Sequence, residues 1–186
     1  ILASTSPRRR EILRNAGINF EVLAPDFDEN ILNKVFSYTL VENIAENKAL
    51  SVLKQVKYPA VIISADTVVI NNDIVLGKPK DFDDALRMLS LLNGKTHKVV
   101  TSVCIIDTQQ NKKLIQSETS EVTFNNISIE ELKNYISAHK PYDKAGSYGI
   151  QELPKNFIKE INGDYENIVG LPVKLLINMM QEITNA

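Results

Sequence analysis

The sequence predicts an α/β fold in which a long, mixed and twisted β-sheet is flanked by helices. Segments whose apolar residues recur at helical spacing alternate along the chain with runs of β-branched residues, which is the pattern of interleaved helices and strands. The chain has 186 residues, of which 44% are hydrophobic and 24% charged. These values suit a protein with one hydrophobic core, and we expect a single domain over residues 1–186.

Start and stop signals mark the expected helices. Ser6 is a good N-cap and Pro7 a good first helical residue, while Gly17 is typical of a helix end. Ser128 and Glu131 have the spacing of a capping box. Together with the apolar spacing, these signals predict helices over residues 7–16, 39–56, 81–92, 129–138 and from Pro172 onward.

Strands are predicted where β-branched or alternating apolar residues stand between turn signals. The clearest is AVIISADTVVI, and the Asn-Asn-Asp run that follows it can turn a hairpin into IVL. Two long strands are expected on either side of the TQQNK turn. The predicted strands span residues 1–3, 20–24, 60–70, 74–76, 97–107, 113–124 and 156–163.

Charge and composition argue against several classes of protein. The net charge is −2 and the isoelectric point about 5.8, so no global basic field favours nucleic acid or a membrane surface. No apolar run approaches the roughly 18 residues of a membrane span, and no signal-peptide pattern opens the sequence. The single cysteine, Cys104, fits a reducing cytoplasm and lies among apolar residues, as an inert core thiol would. His97 and His139 are too scattered for a zinc cluster, and we expect both to be structural.

The stretch STSPRRREIL at residues 4–13 predicts an anion-binding site. Free N–H groups at a helix start attract anions, hydroxyls add donors, and arginines bind phosphate oxygens in pairs. Consecutive arginines here lie where the helix already presents positive charge, which a bound anion would compensate. The alternative is an ordinary capped helix with a solvated basic face. The candidate residues are Ser4, Ser6, Arg8 and Arg9.

A carboxylate, Asp66, interrupts the longest β-branched run, and Thr67 follows it. A buried carboxylate without a partner is unfavourable, and a metal ion or another cation is the usual remedy. Asp66 and Glu29, which lies in an acidic loop before the second helix, could share a hard divalent cation, because such ions prefer oxygen ligands. Lys48 on that helix is a further candidate. The alternative is an alternating strand with Asp66 facing solvent.

Two turns carry further candidates. In LGKPKD, Gly77 and Pro79 fix a turn that presents Lys78, either as a point charge for phosphate or as a solvated loop residue; the stretch is not a P-loop. In DKAGSYGIQ, glycines allow the backbone to approach a ligand, and Gln151 offers an adjacent donor and acceptor. One amide can pair with the N3–H and a carbonyl of thymine or uracil, whereas cytosine lacks that N3–H. The alternative is an ordinary turn glutamine.

The order of the motifs is more specific than any one of them. ILASTSPRRREIL, SADTVV, LGKPKD, DKAGSYGIQ and INGDYENIVGLP follow one another as in the Maf family of nucleotide pyrophosphatases, which the chain resembles over essentially its whole length. The resemblance implies two lobes with the nucleotide in a central cleft. The IQ ending of the last loop resembles the branch that hydrolyses dTTP and UTP, whereas the sister branch acting on 7-methyl-GTP carries a glutamate-bearing stretch there. Glu152 is a departure, because the family pattern usually continues IQG.

The resemblance also implies roles for single residues. Asp66 matches the family's proton acceptor, and the positions tied to substrate choice correspond to Arg8, Thr67 and Gln151. The phosphate- and metal-handling positions correspond to Ser4, Arg9, Glu29, Lys48 and Lys78. We therefore expect a catalytic set of Asp66, Glu29 and Lys78, with Asp66 and Glu29 holding a divalent cation, Mg²⁺ or Mn²⁺. The expected substrate-binding set is Ser4, Ser6, Arg8, Arg9, Lys48, Thr67 and Gln151.

The expected reaction is attack of water at the α-phosphate of a pyrimidine nucleoside triphosphate, which gives the monophosphate and pyrophosphate. One alternative is the same chemistry on another nucleotide such as 7-methyl-GTP. A second is a nucleotide-binding regulator of septum formation and cell division with little catalysis. A nucleic-acid patch at PRRR is disfavoured by the acidic isoelectric point and the lack of interleaved aromatic residues. A homodimer is a candidate assembly, since small enzymes often form symmetric dimers.

Overall fold

A computed structural model describes residues 1–27 and 35–185 and confirms the predicted α/β class, with helices packed on a five-stranded sheet. The strands are β1 (Val61–Asn71), β2 (Ile74–Leu76), β3 (Thr96–Asp107), β4 (Lys112–Phe124) and β5 (Ile158–Asn162), in the order β2-β1-β3-β4-β5. The helices are α1 (Pro7–Asn15), α2 (Tyr38–Leu53), α3 (Phe82–Leu92), α4 (Ile129–His139), α5 (Tyr165–Val169) and α6 (Val173–Asn185). Two single 3₁₀ turns span Ala145–Ser147 and Lys155–Phe157. No helix within the described ranges has both the length and the apolar character of a membrane span.

The five strands pair only in antiparallel fashion, so the expected mixed sheet is corrected to an antiparallel one among the described strands. Short hairpin connections join β1 to β2 and β3 to β4, and such connections can only place neighbouring strands antiparallel. Asn72 and Asp73, with φ values of 48° and 62°, form the predicted turn after β1. Parallel contacts in the described part of the chain are isolated bridges that join Leu2 to Val22 and to Ile63.

Two predicted strands, at 1–3 and 20–24, are each reduced to one bridged residue, Leu2 and Val22. The first segment is short because the chain turns away from the sheet directly afterwards to begin α1. The second is followed by Pro25, which has no N–H group with which to continue the pairing. The N-terminal segment therefore pairs with the edge of β1 through a single bridge, between Leu2 and Ile63.

The helix predictions are confirmed to within a few residues. Ser6 accepts a hydrogen bond from the Arg9 backbone N–H at the start of α1, and both halves of the Ser128–Glu131 capping box are formed at the start of α4. The sequence signals did not predict α5, because its five residues are too few to show a helical period. Its cap is Asp164, whose side chain accepts from a backbone N–H one turn later.

The side chains of β1 alternate between two buried layers. Ile62, Val68 and Ile70 lie in apolar clusters with residues of α2. Ile63 and Ala65 lie in the cluster that includes residues of α1 and α6. Because both faces of β1 are covered, its sequence is nearly continuously apolar rather than alternating.

Cys104 and His97 are buried, as expected for structural residues. Burial raises the pKa of the Cys104 thiol to about 12, so it stays protonated and unreactive. His97 shares a hydrogen bond of 2.7 Å between its Nε2 and the Tyr148 hydroxyl, and its ring packs edge-on against Phe124. Burial lowers the pKa of His97 from 6.5 to about 4.

We expect His97 to make the folded protein sensitive to acid. The unfolded chain takes up a proton on this residue near pH 6.5, whereas the folded chain does so only near pH 4. The contribution of neutral His97 to the free energy of unfolding is therefore complete above pH 6.5. It is lost as the pH falls towards 4, a change of roughly 3 kcal/mol. Urea unfolding of His97→Gln at several pH values should show a shallower loss of stability over this window than the unaltered protein.

The matched control is His139→Gln, at the exposed end of α4. This variant should retain the pH dependence of the unaltered chain. Equal slopes for the two variants between pH 4 and 6.5 would contradict the assignment to His97.

Candidate active site

A cleft opens at the outer edge of β1. β2 pairs with the C-terminal end of this edge and Leu2 bridges it at Ile63, so among the described residues no strand covers 64–68 on that side. The cleft has an empty volume of about 800 Å³, and a hollow of about 630 Å³ shares several of its lining residues along the start of α1. Asp66 and Thr67 both line it, although successive side chains of a strand point to opposite faces.

Asp66 is buried and paired with Lys48 of α2. The Lys48 Nζ lies 2.6 Å from Asp66 Oδ1, and each side chain is only 5% exposed. The alternative of a solvent-facing Asp66 is thereby excluded. Its second oxygen, Oδ2, is also buried and has no hydrogen-bond partner in the described part of the chain. A buried acceptor left unsatisfied is unfavourable, so this oxygen is suited to accept a proton or to ligate a cation.

Arg9 is held in place by three hydrogen bonds. Its Nε donates to the carbonyl oxygen of Gly170 at 2.8 Å. Its two terminal nitrogens donate to the hydroxyls of Ser4 and Thr67 at 3.4 and 3.1 Å. Gly170 adopts a φ of 128°, a conformation that side-chain-bearing residues rarely take, as the chain passes the arginine. The guanidinium is therefore oriented before any ligand binds.

The other two arginines leave the start of α1 in different directions. Arg8 forms an ion pair with Asp143, its Nη1 lying 3.3 Å from Oδ2. Arg10 turns back and donates to the carbonyl oxygen of Thr5 at 3.0 Å. The positive charge at this helix start is therefore compensated in part by the protein itself.

The two predicted turns lie at the cleft. Lys78 is exposed between the buried Gly77 and Pro79, and it lines both hollows. Gln151 is in a turn closed by a hydrogen bond of 2.9 Å from the Glu152 N–H to the Gly149 carbonyl oxygen.

The structure brings the predicted site residues that it describes to the lining of the cleft and its adjoining hollow. They are Ser4, Ser6, Arg8, Arg9, Lys48, Asp66, Thr67, Lys78 and Gln151. Glu29 lies outside the described residues, and its placement stays a prediction, as do the individual roles. Within residues 1–27 and 35–185 no three His, Cys, Asp or Glu side chains are grouped so that they could hold a metal ion.

A polar network beneath the site was not predicted. The Thr67 hydroxyl lies 2.9 Å from that of Thr101, which in turn donates to the Asn167 carbonyl oxygen at 2.9 Å. The Asn167 side chain is fully buried and donates to Val99 O and Ser120 Oγ at 3.0 and 2.9 Å. Asp164 caps the short helix α5 that carries Asn167, but nothing in the sequence shows that this amide is buried.

Three further lining residues were also missed, namely Asp143, Lys144 and Tyr148. They belong to the DKAGSYGIQ stretch, in which only Gln151 was singled out. The adjacent opposite charges in that glycine-containing loop were a usable signal, since a charged pair beside glycines often marks a built site.

The matches to known proteins cover nearly the whole length of the chain. A family model described as "Maf-like protein" matches residues 1–183. A relative from Alkaliphilus oremlandii (strain OhILAs) is 44% identical over 173 residues, which are 93% of this chain and 90% of the relative. Relatives from Clostridium botulinum (strain Eklund 17B / Type B) and Clostridium perfringens (strain SM101 / Type A) are 43% and 42% identical, with 98% and 97% of this chain and 97% and 95% of the relatives covered. All three relatives are named dTTP/UTP pyrophosphatase.

The buried pair of Lys48 and Asp66 should be strongly coupled in stability. Lys48→Met leaves the carboxylate buried without that ammonium, and we expect a loss of about 3–5 kcal/mol in the free energy of unfolding. Adding Asp66→Asn should restore part of this loss, because the uncompensated charge is then removed. Lys54→Met, at the exposed end of the same helix, should change the stability by less than about 0.5 kcal/mol. Additive effects of the two site substitutions in urea unfolding would contradict the coupling.

Proposed function

This chain belongs to the Maf family, and we propose that it hydrolyses dTTP and UTP to the nucleoside monophosphate and pyrophosphate. The observation that carries the proposal is the convergence of a buried carboxylate, Asp66, with cationic side chains in one cleft. Cations suit the phosphates, and a carboxylate with one unsatisfied oxygen suits the attacking water. The names of the relatives agree with this chemistry and do not favour a different nucleotide or a regulator without catalysis.

The start of α1 is the proposed phosphate end of the site. The cationic side chains along this end are those of Arg8, Arg9, Lys48 and Lys78. Arg9 is already oriented by hydrogen bonds to Gly170 and Thr67, whereas Arg8 has to exchange its partner Asp143 for a phosphate oxygen. Fixed charges of this kind stabilise the developing negative charge of the transition state without reorganising, which water around a free nucleotide cannot do.

Asp66 is the proposed general base. Lys48 fixes the carboxylate through Oδ1, which leaves Oδ2 to accept the proton of the attacking water. The water oxygen forms a bond to the α-phosphorus, and the bond from that phosphorus to the bridging oxygen of the β-phosphate breaks. Pyrophosphate leaves with the bridging oxygen, and no covalent intermediate with the protein is needed.

The site also suits a divalent cation, Mg²⁺ or Mn²⁺. The unsatisfied Oδ2 of Asp66 is a hard oxygen donor, which these ions prefer, and we propose that Asp66 and Glu29 hold the ion. A bound ion would lower the pKa of the attacking water and offset phosphate charge.

We propose that Gln151 determines which nucleobase the site accepts. Its side-chain oxygen can accept from the N3–H of thymine or uracil while its NH₂ donates to a neighbouring carbonyl. Cytosine lacks that N3–H and would leave the amide oxygen unpaired, which is the stronger form of discrimination.

Because the substrates are intracellular nucleotides, we also propose that the enzyme acts in the cytoplasm; a homodimer stays a prediction.

Replacing the proposed base tests the reaction directly. Asp66→Asn keeps the size of the side chain and removes its ability to take a proton, so we expect kcat to fall by about 10²-fold or more. Pyrophosphate release should be measured with dTTP, UTP, CTP and 7-methyl-GTP, with and without Mg²⁺ or Mn²⁺. Asp73→Asn, in the exposed turn at the far end of β1, is the matched control and should leave turnover unchanged. Unaltered rates for Asp66→Asn would overturn the assignment.

Replacing Arg8 tests the phosphate end. Arg8→Ala removes one charge-assisted contact to phosphate, and we expect nucleotide binding to weaken about 10- to 100-fold. Arg14→Ala, on the exposed last turn of the same helix, should bind normally. Titration calorimetry and a melting curve separate the two roles. A lower melting temperature with unchanged affinity would show that Arg8 only supports the helix.

A further inference from the structure

Lys144 is a buried lysine that the proposed reaction does not use. Its ammonium lies 2.8 Å from Asp143 Oδ1 and 3.3 Å from Glu152 Oε2, and its side chain is 8% exposed. Lysines are seldom buried to this extent unless they are paired. Burial acts to raise the pKa of Asp143, but the hydrogen bond from Lys144 and the charges of Lys144 and Arg8 outweigh it and hold that pKa below its ordinary value. The ammonium is therefore held between two carboxylates nine residues apart in the chain.

The same lysine contacts both ends of the turn that carries Gln151. The turn runs from Gly149 to Glu152, whose backbone groups are joined by a hydrogen bond of 2.9 Å. A methyl group added at Gly149 would lie 2.9 Å from Cε of Lys144, so the lysine stem occupies the space beside this glycine. At the other end of the turn, the Glu152 carboxylate binds the ammonium.

The preceding part of the loop is fixed by other contacts. The Gly146 N–H donates to the Gly77 carbonyl oxygen at 3.1 Å, and the Gly149 N–H donates to the Tyr135 hydroxyl at 3.2 Å. Tyr148 is buried against His97. Gln151 itself is exposed, and Ile150 and Leu153 on either side of it pack against the apolar core. Lys144 is a charged side chain that contacts the turn at both of its ends.

We propose that Lys144, clamped between Asp143 and Glu152, is a positioning residue that holds Gln151 in the orientation required to recognise the pyrimidine. The inference rests on the proposed function and deepens it. Asp143 also pairs with Arg8, so the clamp links the turn to the phosphate end of the cleft. When a triphosphate takes Arg8, Asp143 keeps Lys144 as its partner, and the turn stays held.

The experiment compares Glu152→Gln, Lys144→Met and the double variant. Each single change should raise KM for dTTP and UTP about tenfold and reduce discrimination against CTP by a similar factor, with kcat changed less than about twofold. Because Glu152 acts through Lys144, the double variant should be no worse than Lys144→Met alone. Inhibition by inorganic tripolyphosphate, which has no base, should be unchanged in Glu152→Gln, because this variant leaves Asp143 its partner Lys144. Glu160→Gln, exposed on β5, is the control and should behave as the unaltered enzyme.

A variant that displaces the lysine without removing a charge completes the test. Gly149→Ala should push Lys144 from its place and reproduce the loss of discrimination, and it keeps the proposal testable if Lys144→Met fails to fold. Unchanged discrimination in Glu152→Gln and Gly149→Ala would overturn the proposal. Weaker inhibition of Glu152→Gln by tripolyphosphate would also overturn it, because the ion pair of Glu152 and Lys144 would then act on phosphate binding. If the unaltered protein does not hydrolyse dTTP, the proposed function fails, and the affinities for dTTP and CTP measured by calorimetry decide on the clamp alone.

Discussion

Among the residues that the structure describes, no strand covers 64–68 at the outer edge of β1, and the cleft lies at this opening. A strand normally separates its side chains into two faces that cannot meet. Where a neighbouring strand is absent, side chains from both faces reach the same space at the edge. Asp66, which pairs with Lys48 of α2, and Thr67, which contacts Arg9 of α1, therefore line one cleft. Extending β2 by a few residues would close this edge and separate the two groups.

A buried ion pair such as that of Lys48 and Asp66 contributes little to stability by itself. Taking both charges out of water is unfavourable, and replacing such pairs by apolar residues often leaves a protein equally stable or more so. Here the pair also leaves Oδ2 of Asp66 buried and unsatisfied among the described residues, which adds to the penalty. In the proposed reaction, a water molecule or a cation in the cleft would satisfy Oδ2 of Asp66. The unbound protein is then less stable than it would be with an apolar pair at these positions, as is common for functional sites.

The sequence predicted what depends on neighbours along the chain. Helix caps such as Ser6 and the capping box at Ser128 act within one turn, and their effects were located correctly. The direction of Asp66 could not be decided in this way, because β1 is buried on both faces and shows no alternation. Nor could the sequence tell that three consecutive arginines would find three different partners, since Asp143, the partner of Arg8, is 135 residues away. The resemblance between motifs supplied the grouping that local physics could not.

The partners of the cations differ in how readily a phosphate can replace them. Asp143 is largely exposed and stays paired with Lys144 when Arg8 moves away. Arg8 can therefore exchange Asp143 for a phosphate oxygen at a small cost in free energy. Asp66 is buried together with Lys48, so separating the two would leave an uncompensated charge in the interior. Hydrogen bonds to oxygens of Gly170, Ser4 and Thr67 orient the guanidinium of Arg9 towards the cleft. A triphosphate should therefore draw Arg8 towards itself, meet Arg9 already in position and leave the pair of Lys48 and Asp66 intact for the attacking water.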